Sequence, residues 1–145
     1  GKVGVVKVGA NSKVELKEKK DRVEDAIYAT KAALKEGIVP GGGIALLNAA
    51  QEITPDNEAE TILLKAIKAP YHTILDNAGI VQAVEPIKGK GIDVNSGNES
   101  DMIQAGIVDP VLVTKSALKN AVSVVTTIVS ADCVISNMRM NESNQ

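Results

Sequence analysis

The chain of 145 residues is 44% hydrophobic and 23% charged, a balance typical of globular sequences that excludes disordered and collagen-like chains. Sixteen Lys and Arg against eighteen Asp and Glu leave a formal net charge of -2, so no overall basic field is available to hold nucleic acid or an anionic membrane surface. The only aromatic residues are Tyr28 and Tyr71, which removes the stacking platforms of a single-strand binder and leaves packing to Val, Ile, Leu and Ala. Such thin aliphatic packing suits layered helices that complete their burial against something else.

In chain order, the Val-rich run at residues 3–8 predicts one strand ending at Gly9, and it opens as though in the middle of a longer chain. Ser12 followed by Glu15 is a capping-box signature. Leu16, Val23, Ile27 and Leu34 then recur at helical spacing up to Gly37, predicting a helix over about 12–36 with Glu15/Lys19 and Glu18/Arg22 as i,i+4 pairs. Gly41-Gly42-Gly43 opens a second helix at Ile44. Thr54-Pro55 reads as the N-cap and first residue of a third, with Pro70 as a kink or boundary and Asn77-Ala78-Gly79 as the end of the helical pattern. A short helix is expected around 81–87, and a small hairpin over Ile92-Asp93-Val94 with Asn95-Ser96-Gly97 as its turn. Asp109-Pro110 reads as the N-cap and start of the last long helix, whose nearly uncharged Leu118, Val122, Val125 and Val129 mark it as a buried central helix. Cys133-Val134-Ile135-Ser136 closes the chain as a short strand before a polar tail. The longest uncharged run, between Lys119 and Asp132, is too short and too rich in Ser and Thr to span a bilayer.

Few residues point to chemistry by themselves. The triple glycine is either a tight helix corner or a place where backbone approaches a phosphate or sugar, since the following helix offers free N–H groups; it fits neither the P-loop nor the dinucleotide fingerprint. Asp25 lies about two hundred degrees around its helix from Val23 and reads as a solvated carboxylate. Asp109 is explained by its capping role. His72 and Cys133 are each the only residue of their kind, which leaves no metal site, no disulfide and no activated thiolate. No Ser/His/Asp or HExxH motif is present, so hydrolase chemistry carried by this chain alone is not expected.

Taken in order, Val5-Val6-Lys7-Val8-Gly9-Ala10, Glu18-Lys19-Lys20-Asp21-Arg22-Val23-Glu24-Asp25-Ala26, Glu36-Gly37-Ile38-Val39-Pro40-Gly41-Gly42-Gly43, Asn77-Ala78-Gly79 and Asp101-Met102-Ile103-Gln104-Ala105-Gly106-Ile107-Val108-Asp109-Pro110 resemble the C-terminal part of a group I chaperonin of the GroEL type. The resemblance implies a mainly α fold with short β segments. Residues 1–36 would be the strand and long helix of an intermediate domain, and 37–145 the C-terminal half of an equatorial, nucleotide-binding domain, a helical bundle plus a small hairpin. The implied function is that of a fragment of an ATP-dependent chaperone, an ATPase that assists folding of non-native proteins inside a homo-oligomeric ring. Its cofactors would be ATP and Mg2+. Co-chaperonin and client proteins would bind through an apical domain that lies outside this sequence, as the phosphate loop and the Mg2+-binding aspartate also would; neither nucleic acid nor membrane is an expected partner.

Residue by residue, the resemblance gives Asp25 the catalytic role of positioning or activating the attacking water near Mg2+. Gly42 becomes backbone against the nucleotide, Asp93, Val94 and Asn95 the segment beside the adenine, and Asp109 the carboxylate on the ribose. Ile92 stands where the family usually carries an aromatic residue, and Val94-Asn95 where small residues are common. The location implied is the bacterial cytoplasm, with mitochondrion and plastid as alternatives. A different class of reading is a free-standing helical module, derived from a chaperonin, that self-associates without ATPase activity through strands at 3–8 and 134–136.

Overall fold

The computed structural model describes residues 3–81, 85–133 and 135. Helix α1 spans Lys13–Glu36. Its start is fixed by Ser12, whose Oγ accepts the Glu15 amide at 3.2 Å, while the Glu15 carboxylate reaches back to the Asn11 amide at 3.1 Å. These bonds satisfy donors that an isolated helix end leaves bare. Gly37, at φ 85°, ends the helix by donating to the Ala33 carbonyl at 2.8 Å, in a conformation that a side chain would strain. The two expected ion pairs form, Lys19 with Glu15 at 2.8 Å and Arg22 with Glu18 at 2.6 Å, both on the exposed face of the helix where solvent screens them.

Strand β1 (Ile38–Pro40) follows, then α2 (Ile44–Glu52), α3 (Glu58–Ala66) and α4 (Ala69–Ala78), the hairpin β2 (Lys90–Asp93) and β3 (Asn98–Asp101), strand β4 (Val108–Pro110) and helix α5 (Val111–Val129). The hairpin is antiparallel, with Gly91 opposite Ser100. Strands β1 and β4 form a second two-stranded sheet, antiparallel, with Val39 opposite Asp109, so that α1 and α5 leave from the same ladder. There Val111 N donates to the Gly37 carbonyl at 3.1 Å and Lys115 pairs with Glu36 at 2.7 Å.

The core is small. Ile44 and Leu47 of α2, Tyr71 and Leu75 of α4 and Met102 after β3 form one buried cluster, with Ile80, Ile92 and Ile107 packed on its flank. These side chains pack beneath the glycine corner and the base of the hairpin.

Several expectations are corrected. Residues 3–8 form no strand: they are irregular, and Val3, Val5 and Val6 are exposed because no described segment offers them a ladder partner. Helix α3 begins at Glu58 rather than Pro55. Asn57 is the better N-cap because its Oδ1 accepts the Glu60 amide at 2.9 Å while the Glu60 carboxylate takes the Asp56 amide at 2.8 Å, the reciprocal pair that Thr54 lacks. Pro70 does mark a boundary, since α4 starts at Ala69. Asp109 is not a cap: the β4 ladder holds 108–110 extended, Pro110 takes the cap position, and no side chain bonds the first turn of α5.

Helix α5 is not a buried central helix. None of its residues is buried, and Val124, Val125 and Ile128 are each more than half exposed. Its apolar sequence states what the helix can bury, not what this chain supplies to cover it. By length and composition α5 would also reach across a bilayer, but Lys115 and Lys119 inside it are costly at membrane depth. Of the short helix expected at 81–87, residues 82–84 lie outside the described residues and 81 and 85–87 are not helical. The closing strand and the polar tail also fall outside the described residues, apart from Cys133 and Ile135, neither of which is in a strand.

Candidate functional site

The glycine corner is where the elements converge. Gly41 donates to the Ile107 carbonyl at 2.9 Å, and its Cα faces the 107–108 peptide so closely that a Cβ would lie 3.1 Å from Ile107 C and Val108 N. Gly42, at φ 66°, sits against the Met102 Cε, where a Cβ would meet it at 3.0 Å. Gly43, at φ 79°, abuts the Tyr71 backbone. Each glycine therefore permits a close backbone approach. The same turn opens α2 without a side-chain cap; Ile44 N donates back to the Gly41 carbonyl at 3.2 Å, while the Ala45 and Leu46 N–H groups and the positive end of the dipole stay available.

Asp109 belongs to this corner. It pairs with Val39 across the β1–β4 ladder, one residue beyond the point where Val108 faces Pro40 and the chain turns into the glycines. Its carboxyl is half-buried, and burial pushes its pKa up. Among the described residues no hydrogen bond or ion pair reaches it. A partly desolvated carboxylate without protein donors is an acceptor open to a ligand's hydroxyl or amine groups.

The hairpin docks on the other side of the corner. Gly91 lies on the Ile44 side chain, and the Met102 sulfur closes over Gly91. Two residues further, about 7 Å along the strand, Asp93 leads the turn. Its carboxylate accepts from the Asn95 amide at 3.0 Å and from Ser96 Oγ at 3.0 Å, so the side chain is spent on the turn, while Val94 and Asn95 are exposed at the tip. Gly42, Asp109 and the base of the hairpin thus share one corner of the molecule. Asp25 does not join them: it is exposed on α1, twelve residues and about 18 Å of helix rise before Gly37.

A polar cluster that local sequence reading missed holds the lead-in to the hairpin. Glu85 accepts from Lys68 Nζ at 3.1 and 3.0 Å and from Gln51 Nε2 at 3.3 Å, with His72 Nε2 3.5 Å away. The Lys68 hydrogen bonds hold the Glu85 carboxyl below the usual carboxylate range, against the opposing effect of burial. Its members lie 17 and 34 residues apart in the chain, so no spacing signal could have found them. A cavity of about 710 Å3 lies elsewhere, between Ile62, Leu63 and Ile67 on one side and Leu118, Val122 and Val125 on the other. It is an apolar seam with no catalytic chemistry. Among the described residues no group of three metal-ligating side chains occurs.

The sequence profile of the TCP-1/cpn60 chaperonin family matches residues 1–139. The chain belongs to that family. The fold of this chaperonin chain agrees: it superimposes on a solved structure described as a group III chaperonin in the open state with a TM-score of 0.73 and 27% identity, over 88% of this chain. The chaperonin chain spans about 30% of the length of that structure's chain. The match extends to architecture, mostly helical with a few short antiparallel strands, and takes in the glycine corner, the hairpin and the β1–β4 ladder within the profile's span.

Proposed function

We propose that this chain forms one wall of the nucleotide pocket of an ATP-driven chaperonin ring of the group I type. The observation that carries the reading is Asp109, a desolvated carboxylate with no partner among the described residues, beside the uncapped N-terminus of α2 at a glycine corner. In this reading the Asp109 carboxylate accepts hydroxyl hydrogens of the ribose, the backbone at Gly42 lies along the nucleotide, and residues 93–95 flank the adenine through backbone and the exposed Val94 and Asn95. Phosphoryl transfer depends chiefly on positioning and electrostatics, and in the complete ring Mg2+ would neutralise phosphate charge. Asp25 would orient the attacking water there after α1 carries it toward the corner. Subunits of the same kind would complete the ring, while co-chaperonin and non-native clients would be bound by parts of the longer protein.

The substitution Asp109→Asn separates ligand binding from stability. The native carboxyl holds its proton more tightly than the unfolded one, so the penalty for its charge is absent below the unfolded pKa and grows as pH rises through the native one. The variant is expected to melt slightly higher than the parent at pH 7 and to lose that advantage in acid. In calorimetric titration with ADP its affinity should fall about tenfold or more, the worth of hydrogen bonds to a charged acceptor. An unchanged ADP affinity would sink the ribose assignment. The chain alone is expected to hydrolyse little or no ATP; turnover that disappears in Asp25→Ala would show that it carries a complete site.

One observation favours the second reading, a self-associating helical module without ATPase activity: α5 has no buried residue. That reading requires concentration-dependent assembly without nucleotide, and a strictly monomeric, folded chain in analytical ultracentrifugation would count against it.

A further inference from the structure

The Glu85 carboxylate joins three elements, and none of its bonds serves the apolar core. Lys68, at the boundary before α4, donates to both of its oxygens; Gln51, in the last turn of α2, bonds one oxygen and also the Pro86 carbonyl at 3.3 Å; His72, in the first turn of α4, faces the other. Pro86 is buried, and two residues later Lys88 pairs with Glu52 of α2 at 2.5 Å. The stretch 85–88 is thereby fastened to the C-terminal end of α2, and it runs directly into β2. The hairpin is fastened a second time at the N-terminal end of the same helix, where Gly91 lies on Ile44 and Met102 on Gly42. Seven to eight residue steps of α2, about 10–12 Å of rise, separate the two anchors. Hairpin and helix therefore move as one piece only while both hold.

The second anchor is a conventional apolar contact. The first is polar, and its link to α4 rests on a single ionisable side chain, Glu85, that is about two-thirds buried, with Lys68 buried to the same degree. A pair so placed is screened less than a surface pair, and one ammonium nitrogen reaches both carboxylate oxygens. Losing the Glu85 carboxylate would free 85–88 from α4 and leave it tied to α2 only by the Gln51–Pro86 bond and the exposed Lys88–Glu52 pair, a looser seat for the hairpin.

We propose that Glu85 is a positioning residue for the nucleotide: through the 85–88 stretch it sets where the hairpin turn at 93–96 stands relative to the glycine corner. This inference rests on the nucleotide reading of that corner. It assigns Glu85 no contact with ligand, only control over the segment that makes the contact.

The test compares the full chain with its Glu85→Ala and Glu85→Gln variants and the swap Lys68→Glu/Glu85→Lys, using amide hydrogen exchange and ADP titration. Glu85→Ala should raise exchange across 90–101 about tenfold while leaving α1 and α5 unchanged, and should weaken ADP binding about tenfold. Glu85→Gln, which keeps acceptor oxygen for Lys68, should lose less, and the swap should recover both readouts. Hairpin exchange that does not change in Glu85→Ala would overturn the anchor. Faster exchange with unaltered ADP affinity would reduce Glu85 to a stabilising contact and overturn the positioning role. If the parent chain itself binds no ADP, the nucleotide reading fails, an outcome separate from either of these.

Discussion

Gly43→Ala is expected to cost about 3 kcal/mol or more of folding stability, from two independent sources. A non-glycine residue at φ 79° is strained by about 1–2 kcal/mol because its Cβ crowds the following carbonyl. The new Cβ would also lie 2.7 Å from Tyr71 N and 2.9 Å from Tyr71 Cα. Those are backbone atoms of α4 and cannot rotate aside as a side-chain tip can, so α2 and α4 must part at the centre of the core. Gly97→Ala is the control: φ is 71° but nothing lies within 4 Å, so only the conformational cost of about 1 kcal/mol remains. Urea unfolding followed by circular dichroism measures both, and equal losses in the two variants would show that the contact with Tyr71 is not a constraint.

Leu47→Ala should cost about 2–5 kcal/mol, because the side chain is completely buried among Ile44, Tyr71, Leu75 and Met102 and its loss leaves a cavity. In a domain whose total stability is of order 5–15 kcal/mol, and whose core is this small, that is enough to populate the unfolded state. Val125→Ala removes apolar atoms from a residue that is 56% exposed and should change stability by no more than about 0.5 kcal/mol. If Val125→Ala proves the more damaging in thermal melts, α5 is packed in solution far more deeply than its surroundings in this chain allow.

What the sequence disclosed and what it concealed divide along one line. Signals acting within a turn of chain were legible: Ser12 and Gly37 bracket α1, Pro70 marks the break before α4, and Asn95-Ser96-Gly97 makes the hairpin turn. Features decided by a distant partner were not. Asp109 has the chemistry of an N-cap, but Val39, far away in sequence, pairs with it and draws it into β4. Helix α5 has the composition of a buried helix, yet burial depends on what lies opposite. The Val-rich run at 3–8 has strand propensity without a ladder. For the candidate site, the resemblance led to Gly42 and Asp109, which share one corner, to Asp93, which leads the hairpin turn beyond it, and to Asp25, which the length of α1 keeps apart. They could not lead to Glu85, whose partners come from two helices.

The ladder between β1 and β4 fastens together the two ends of the segment 41–107 with only three residue pairs. Drawing together the ends of a free chain that long costs about 4 kcal/mol in configurational entropy beyond a constant, against about 1 kcal/mol net for each hydrogen bond gained. So short a ladder cannot be the seed of this structure. It is expected to close once the cluster around Leu47 and Tyr71 has shortened the intervening path, with α1 and α5 docking late although one of them precedes that cluster in the chain; a φ-value near 1 at Val39 would show the opposite order.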